Sequence, residues 1–453
     1  MPDDHPGAAL ARFAAGLRYE AIPQPVVATV KSLFLDWIGC SLAGKGHRAI
    51  RMLESFAERM GPTDGTSELL ISRRRTSPFF AALVNAAASN VVEQTDVHNG
   101  AVLHAGAVVF PAVLAAAQDA GSPGHEIIAA AVAGYEVGVR VAEYLGRSHY
   151  RIFHTTATVG TLAAAVAVGR LLRLDSQRML AALGSAGTQA AGLWEFLGDG
   201  ADSRQLHIGK AAADGLLSAY LALDGFTAAK RILDGRQGLA AAMSNDADAA
   251  RLLDRLGTRW TTAETSLKWH ASCRHAHPAA DALLALMRAE GLQAGQIHHV
   301  TAGVHQAALD VLHGGVGEET VDQAMFSITT VLALIAVHGR AGTEELYGAM
   351  RTAPEVEAFR TRVSMKLDNE VDAAYPQRWI GKVRVVTADG RELESVVRMP
   401  KGDPANPLTD EEIEQKLLRL ARFAGGASPD EIAVLIQQVR NMENWSRTPR
   451  MLS

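Results

Sequence analysis

Four short segments concentrate side chains that exchange protons or hold anions. The first, VVEQTDVHNGAVLHAGAVVFP, sets Glu93, Asp96, His98, Asn99 and His104 within twelve residues. Imidazole titrates near neutral pH, and a carboxylate beside it can fix its tautomer and raise its basicity. The same residues also suit a polar turn in which Asp96 caps a helix and the histidines are satisfied locally. The second, HYRIFHTTATVGTLAAAVAVG, puts Tyr150 and His154 ahead of Thr155, Thr156, Thr158 and an alanine-rich helix. That helix start offers free amides to a carboxylate, or threonine simply caps it. The third, LGDGADSRQLHIGKAAADG, brackets a turn entering a helix with Arg204, His207 and Lys210. Cations are electrostatically unfavourable at a helix start, which suits a role in holding substrate carboxylates. The fourth, SLKWHASCRHAHPAADA, packs Lys268, His270, Cys273, Arg274, His275 and His277 into ten residues. Its Cys-x-His and Cys-x3-His pairs raise metal binding, but they match no standard zinc spacing and the nearby cations repel a metal. We therefore expect no metal and a proton-transfer, anion-binding site. Cys273 reads either as a thiolate lowered by those cations or as a small buried apolar group. His98, His207 and His275 read as satisfied structural histidines.

Other chemistry has no motif behind it. The chain contains no GxGxxG after a strand, no P-loop, no HExxH and no GxSxG. We expect side chains alone, without a cofactor, to do the work. A net charge of −5 gives no basic footprint for a nucleic-acid partner. Two cysteines, Cys40 and Cys273, are too few for a secreted disulfide scaffold. The opening residues carry Asp3 and Asp4 and no long apolar run, unlike a secretory signal. Apolar stretches such as 105–117 and 162–168 are short of the ~18 residues a membrane span needs. A cytoplasmic protein with no membrane partner is the expectation.

The elements that must position these segments are legible from periodicity. With 453 residues and 48% apolar content, two or three domains are expected. From Ala8 to about Leu256 apolar residues recur at helical spacing, with stops at Gly44 and Gly146. The many Ala and Gly residues predict closely approaching helices. After Lys268 the texture changes. IHHVTAGV (297–304) reads as a strand, and WIGKVRVVTA and RELESVVRMP around Asp389-Gly390 read as a hairpin. HAHPAADALLALMRAEG and ITTVLALIAVHG are helical. After KGDPANPLT, Thr409 and Glu412 form a capping-box pattern that restarts a helix.

Taken in order, the four segments resemble the MmgE/PrpD family. So do FLDWIGCSLAG near the start and GKVRVVTADGRELE with PKGDPANPLT near the end. The resemblance runs from about Ala8 to beyond Leu420. It implies a mainly α fold: a large all-helical domain plus a smaller α+β lid, with the active site between them and homodimers usual. The expected division is 1–265 helical, 266–400 lid, and 401–453 returning to the helical domain. By resemblance, Asp96 and His104 match the family's acid-to-histidine segment, His154 its Phe-His-x-Thr histidine, and Lys268 its lysine. Arg204 stands where many members have lysine. Cys273 replaces a histidine of the decarboxylases, Thr330 a tyrosine, and Gln94 an aspartate.

The family's reactions share proton transfer at carbon next to a carboxylate. We expect catalytic roles for Asp96, His104, His154, Lys268 and Cys273. Arg204, Lys210, Tyr150, Arg274 and His277 are expected to bind a small polycarboxylate. In this reading His104 or His154 is the base, Asp96 orients a histidine, and Tyr150, Cys273 or His277 supplies the second group. The expected activity is a cofactor-independent, dehydratase-like lyase acting on a hydroxylated di- or tricarboxylate. The alternatives are an epimerase of a dicarboxylate such as iminodisuccinate, and a non-catalytic carboxylate-binding protein.

Overall fold

A computed structural model describes residues 5–315, 317 and 319–452; Asp3 and Asp4 lie outside the described residues. The protein is predominantly α-helical, a large helical domain joined to a smaller α+β lid. The helical domain is centred on Pro78–Ser89, Gly106–Ala120, Gly124–Tyr150, Thr155–Leu171 and Ser203–Leu223, nearly all buried on several faces. Their small residues let the axes close up, as the composition predicts. A Cβ on Gly138 would lie 2.7 Å from the Ala163 methyl, and one on Gly215 2.5 Å from that of Ala164. Both distances are below any ordinary carbon contact, so glycine is required where these helices meet.

The lid has its own apolar core. Its four-stranded sheet runs in the order Val363–Leu367, Ile297–Val304, Gly381–Thr387, Glu392–Val397. The last two strands form the expected hairpin, with Gly390 at φ +84° in the turn. Val363–Leu367 pairs in parallel with Ile297–Val304. This edge strand escapes sequence reading because VSMKL is short and shows no clean alternation. Helices His277–Glu290 and Ile328–His338 each end on a glycine in the left-handed region, Gly291 and Gly339.

The C-terminal helices return to the helical core. Asp410–Phe423 begins with the predicted reciprocal cap between Thr409 and Glu412. It lies against Gln24–Ala43, where Gly39 admits Leu417 to 3.0 Å of a would-be Cβ. Lys416 Nζ reaches 2.5 Å from Asp36 and donates to the Gln94 carbonyl at 2.8 Å, so one buried ammonium ties this helix to two earlier segments. Gln24–Ala43 is longer than the apolar stretches read from the sequence and, by length and composition alone, reaches what a membrane span needs. It is 20 residues long with mean hydropathy 1.5, because Lys31 and Asp36 interrupt the apolar run without lowering its average enough. In the fold, 78% of that window is buried against other helices, as in the core helix of a globular domain.

Removing one partner of a buried ion pair leaves the other charge uncompensated. Lys416→Met should therefore lower unfolding stability by about 3–5 kcal/mol, read from urea denaturation. A loss under about 1 kcal/mol would mean that the pair is not a tether.

Candidate active site

Three local devices bring the four segments together. Val97–His98 pairs antiparallel with Thr265–Ser266, which sets the first segment beside the approach to Lys268. The Leu267 amide then donates to the Gly402 carbonyl, and Asp403 accepts from Asn99, Ser266 and Arg274. The third device is a break at Gly146. The sequence predicts a helix stop there, and the chain does leave helical geometry at φ +71°, but it resumes helix to Tyr150. Asp246 caps the new turn by accepting from the Arg147 and Ser148 amides. The redirected turn carries Tyr150 into the cleft between the domains.

At the floor of the cleft, Glu93 is held between two cations. Its carboxylate accepts from Lys268 Nζ at 2.6 Å and from Arg204 at 2.7 Å, and Lys268 also donates to the Glu93 carbonyl at 3.0 Å. Arg204 turns its other nitrogen to Asp322 of the lid at 3.0 Å. Burial alone would raise the Glu93 carboxyl, but the Lys268 and Arg204 charges outweigh it and hold it at about 2. Glu93 sits at φ +52° and Val102, across the cleft, at φ +45°. Such backbone strain costs roughly 1–3 kcal/mol per residue and concentrates at functional sites.

The walls are imidazoles and aromatic rings. His104 Nδ1 lies 2.7 Å from the Asp96 carbonyl, and the His104 amide donates to Thr156. Burial first, then the Lys268 charge, lowers His104 to about 4, so it is neutral at pH 7. His154 Nδ1 meets His207 at 2.7 Å, and burial and His207 push His154 well below its usual value. Cys273 is a buried thiol raised to about 12 by burial and Glu93, which answers its ambiguity in favour of the neutral form. The cavity lined by these groups has about 10 Å³ of free space, so a polycarboxylate enters only when the walls part. It opens past Val102, Tyr150 and Trp194 toward a vestibule of about 1250 Å³.

The structure brings together His104, Tyr150, His154, Arg204, Cys273 and Arg274 around this cavity, with Lys268 beneath it. Three expectations need correction. Lys210 is half exposed and pairs with Asp214, because six residues along the helix from Arg204 it points away from the cleft. His277 is fully buried between Arg274 and the Ser272 carbonyl, bound to the loop that leads into its helix. Asp96 orients His104 through its backbone carbonyl. Its carboxylate instead accepts from Tyr135 and the Gly106 amide, which is the capping role, and burial raises it to about 7. Thr330 bonds Glu319, away from the cavity. His98, Glu143 and Glu264 could hold a metal by distance, but Arg259 donates to both carboxylates and fills their centre. The sequence reads His275 as structural, sets Glu93 in the first cluster without a role of its own, and gives no sign of Trp194 and Phe326 as lining groups.

Fold and cleft define a two-domain protein whose polar centre lies at the seam. The MmgE/PrpD N-terminal domain matches residues 8–252 and the MmgE/PrpD C-terminal domain residues 270–441. The chain belongs to the MmgE/PrpD family. It is 29% identical to the cis-aconitate decarboxylase-like protein oryM of Aspergillus oryzae, over 93% of this chain and 91% of that one. It is 28% identical to a cis-aconitate decarboxylase of Aspergillus terreus, over 94% and 90%. The human cis-aconitate decarboxylase is 26% identical over 51% of this chain and 48% of its own. Membership supports an enzymatic activity of lyase or isomerase type on a carboxylate substrate.

The ionisation of the site carries a stability prediction. His104 is depressed from 6.5 to about 4, so its contribution is full above 6.5 and lost as pH falls through 4. Glu93 is depressed from 4.5 to about 2, so its contribution is full above 4.5 and lost as pH falls through 2. Stability should therefore decline in an upper and a lower stage on acidification. Glu93→Gln should flatten the lower stage and His104→Gln the upper, in urea unfolding across that pH range. A Glu93→Gln profile parallel to wild type below pH 4.5 would refute the clamp.

Proposed function

We propose that the protein is a cofactor-independent lyase that takes a proton from carbon beside a carboxylate of a small hydroxylated di- or tricarboxylate and expels the hydroxyl as water. One observation carries this reading: the His104 Nδ1 proton is spent on the Asp96 carbonyl, which leaves Nε2 as an unprotonated base at the cleft. A carbonyl can only accept, so the tautomer follows. The carbanion-like charge that develops needs cations nearby. Lys268 and Arg204 supply them once a substrate carboxylate competes with Glu93, and Arg274, itself paired with Asp403, adds a third beside the cavity. Buried, unpaired cysteines agree with a reducing compartment, so cytoplasmic location is part of the proposal, as is a homodimer.

A second reading is decarboxylation, favoured by the names of the relatives that cover the chain nearly end to end. It shares the same electronic demand, since loss of carbon dioxide leaves the same carbanion. Cys273 in place of a decarboxylase histidine weighs against it.

Proton NMR in deuterated water, with 2-methylcitrate, citrate, cis-aconitate, iminodisuccinate and tartrates, separates the cases. Loss of a hydroxy acid with formation of an alkene supports the lyase. Loss of carbon dioxide replaces it with the decarboxylase, and exchange without net product with the epimerase. No change with any acid favours the binding protein. His104→Gln should reduce turnover by about 10²–10⁴-fold, the usual weight of a general base.

A further inference from the structure

We propose that Tyr150 is the proton donor to the departing hydroxyl, and that His305 and His275 are positioning residues that set this role by fixing the direction of a hydrogen-bonded chain. The proposal rests on the lyase reading above.

The chain has three links. The Tyr150 hydroxyl lies 3.1 Å from His275 Nε2. His275 Nδ1 lies 3.3 Å from His305 Nε2. His305 Nδ1 accepts from the Ala308 backbone amide at 3.2 Å. A backbone N–H can only donate, so His305 Nδ1 carries no proton. The proton of this neutral ring is then on Nε2 and is donated to His275 Nδ1. His275 in turn keeps its proton on Nε2 and donates it to the Tyr150 oxygen. A phenol that accepts there has its own O–H left to give elsewhere. Among the described residues that hydroxyl has no other partner, and Tyr150 lines the cleft.

Both imidazoles are neutral and held against turning over. Burial and the Arg147 charge lower His305 to about 3, and burial and His305 take His275 well below its usual value. Stacking holds the rings: His305 lies on Tyr375 with centroids 3.8 Å apart, and His275 on Trp379 at 4.8 Å. Burial also keeps the Tyr150 phenol protonated.

The hydrogen bond at His104, in the same lining, has the reverse polarity. The Asp96 carbonyl obliges His104 to present a lone pair, whereas the Ala308 amide obliges Tyr150 to present a proton. The cleft lining thus holds one accepting group, His104, and one donating group, Tyr150. His104 Nε2 takes the proton from carbon, leaving the C–H electron pair as a carbanion stabilised by the adjacent carboxylate, and that pair then becomes the new carbon–carbon double bond. The carbon–oxygen bond breaks with its pair on oxygen, and the Tyr150 proton converts that hydroxide to water. The His104 imidazolium then returns its proton through that water to the Tyr150 phenolate, and the enzyme is restored. His154 has no such assignment, because among the described residues no backbone group fixes the polarity of its bond to His207.

The polarity is testable without a substrate. In protein labelled with ¹⁵N-histidine, two-bond proton–nitrogen spectra at neutral pH should show His305 and His275 as Nε2–H tautomers and His104 as Nδ1–H. Single His→Gln variants make the assignments. An Nδ1–H tautomer at His305 or His275 overturns the proposal. The donor role is tested with Tyr150→Phe on citrate, 2-methylcitrate and tartrates in deuterated water. Elimination should fall by about 10²–10⁴-fold while exchange of the α-proton continues, since His104 is untouched. Unchanged elimination, or loss of both, refutes the donor. His275→Gln should lower kcat with KM unchanged, and it serves as the second variant if Tyr150→Phe does not fold. A change in KM alone would refute the positioning role. If wild type turns over none of these acids, the lyase reading fails, and the tautomer spectra still decide the polarity.

Discussion

The Glu93 carboxylate, wedged between Lys268 and Arg204, holds the protein's seam together. Either cation alone in this buried place would carry a large desolvation penalty. Together with Glu93 and Asp322 they form a nearly neutral cluster. The cluster draws in the loop before Gly106–Ala120, the approach to the lid and the start of Ser203–Leu223. Glu93 accepts a left-handed backbone to reach this position. The same arrangement leaves the cations prepared for another carboxylate, because an anion replacing Glu93 would meet the same donors.

Around this charged floor the walls are kept neutral. His104, His154, His207 and His275 are all pushed toward the unprotonated form, chiefly by burial and then by neighbouring positive groups. A row of imidazolium ions would repel Lys268 and Arg204, whereas neutral rings coexist with them and keep lone pairs available. At His104, and at His275 through His305, which nitrogen holds the proton is then decided by backbone groups, whose donor or acceptor character cannot change. The catalytic character of the cleft therefore depends on main-chain placement as much as on side-chain identity.

Most of the architecture was legible beforehand. Alanine and glycine at helical spacing require closely packed helices, and the Asp389-Gly390 turn between alternating runs requires a hairpin. The capping pair Thr409 and Glu412 marked where helix resumes. Each of these signals is local, with the cause lying within a few residues. The edge strand Val363–Leu367 was not legible, because its only reason to be a strand is the neighbour it pairs with, Ile297–Val304, some sixty residues away.

The site divides in the same way. The residue types and their four clusters, with the resemblance they carry, were determined by the sequence alone. So was the reading of the Gly146 region as a helix break. Which members face the cleft was decided only by tertiary structure. Lys210 and Arg204 share a helix, yet the helical twist and the position of Glu93 bury one and expose the other. His275 looks like any histidine in a crowded loop until His305, thirty residues on, and the Ala308 amide orient its proton. Hydrogen-bond direction belongs to a three-dimensional chain that ends on a backbone group. No spacing along the sequence specifies that end.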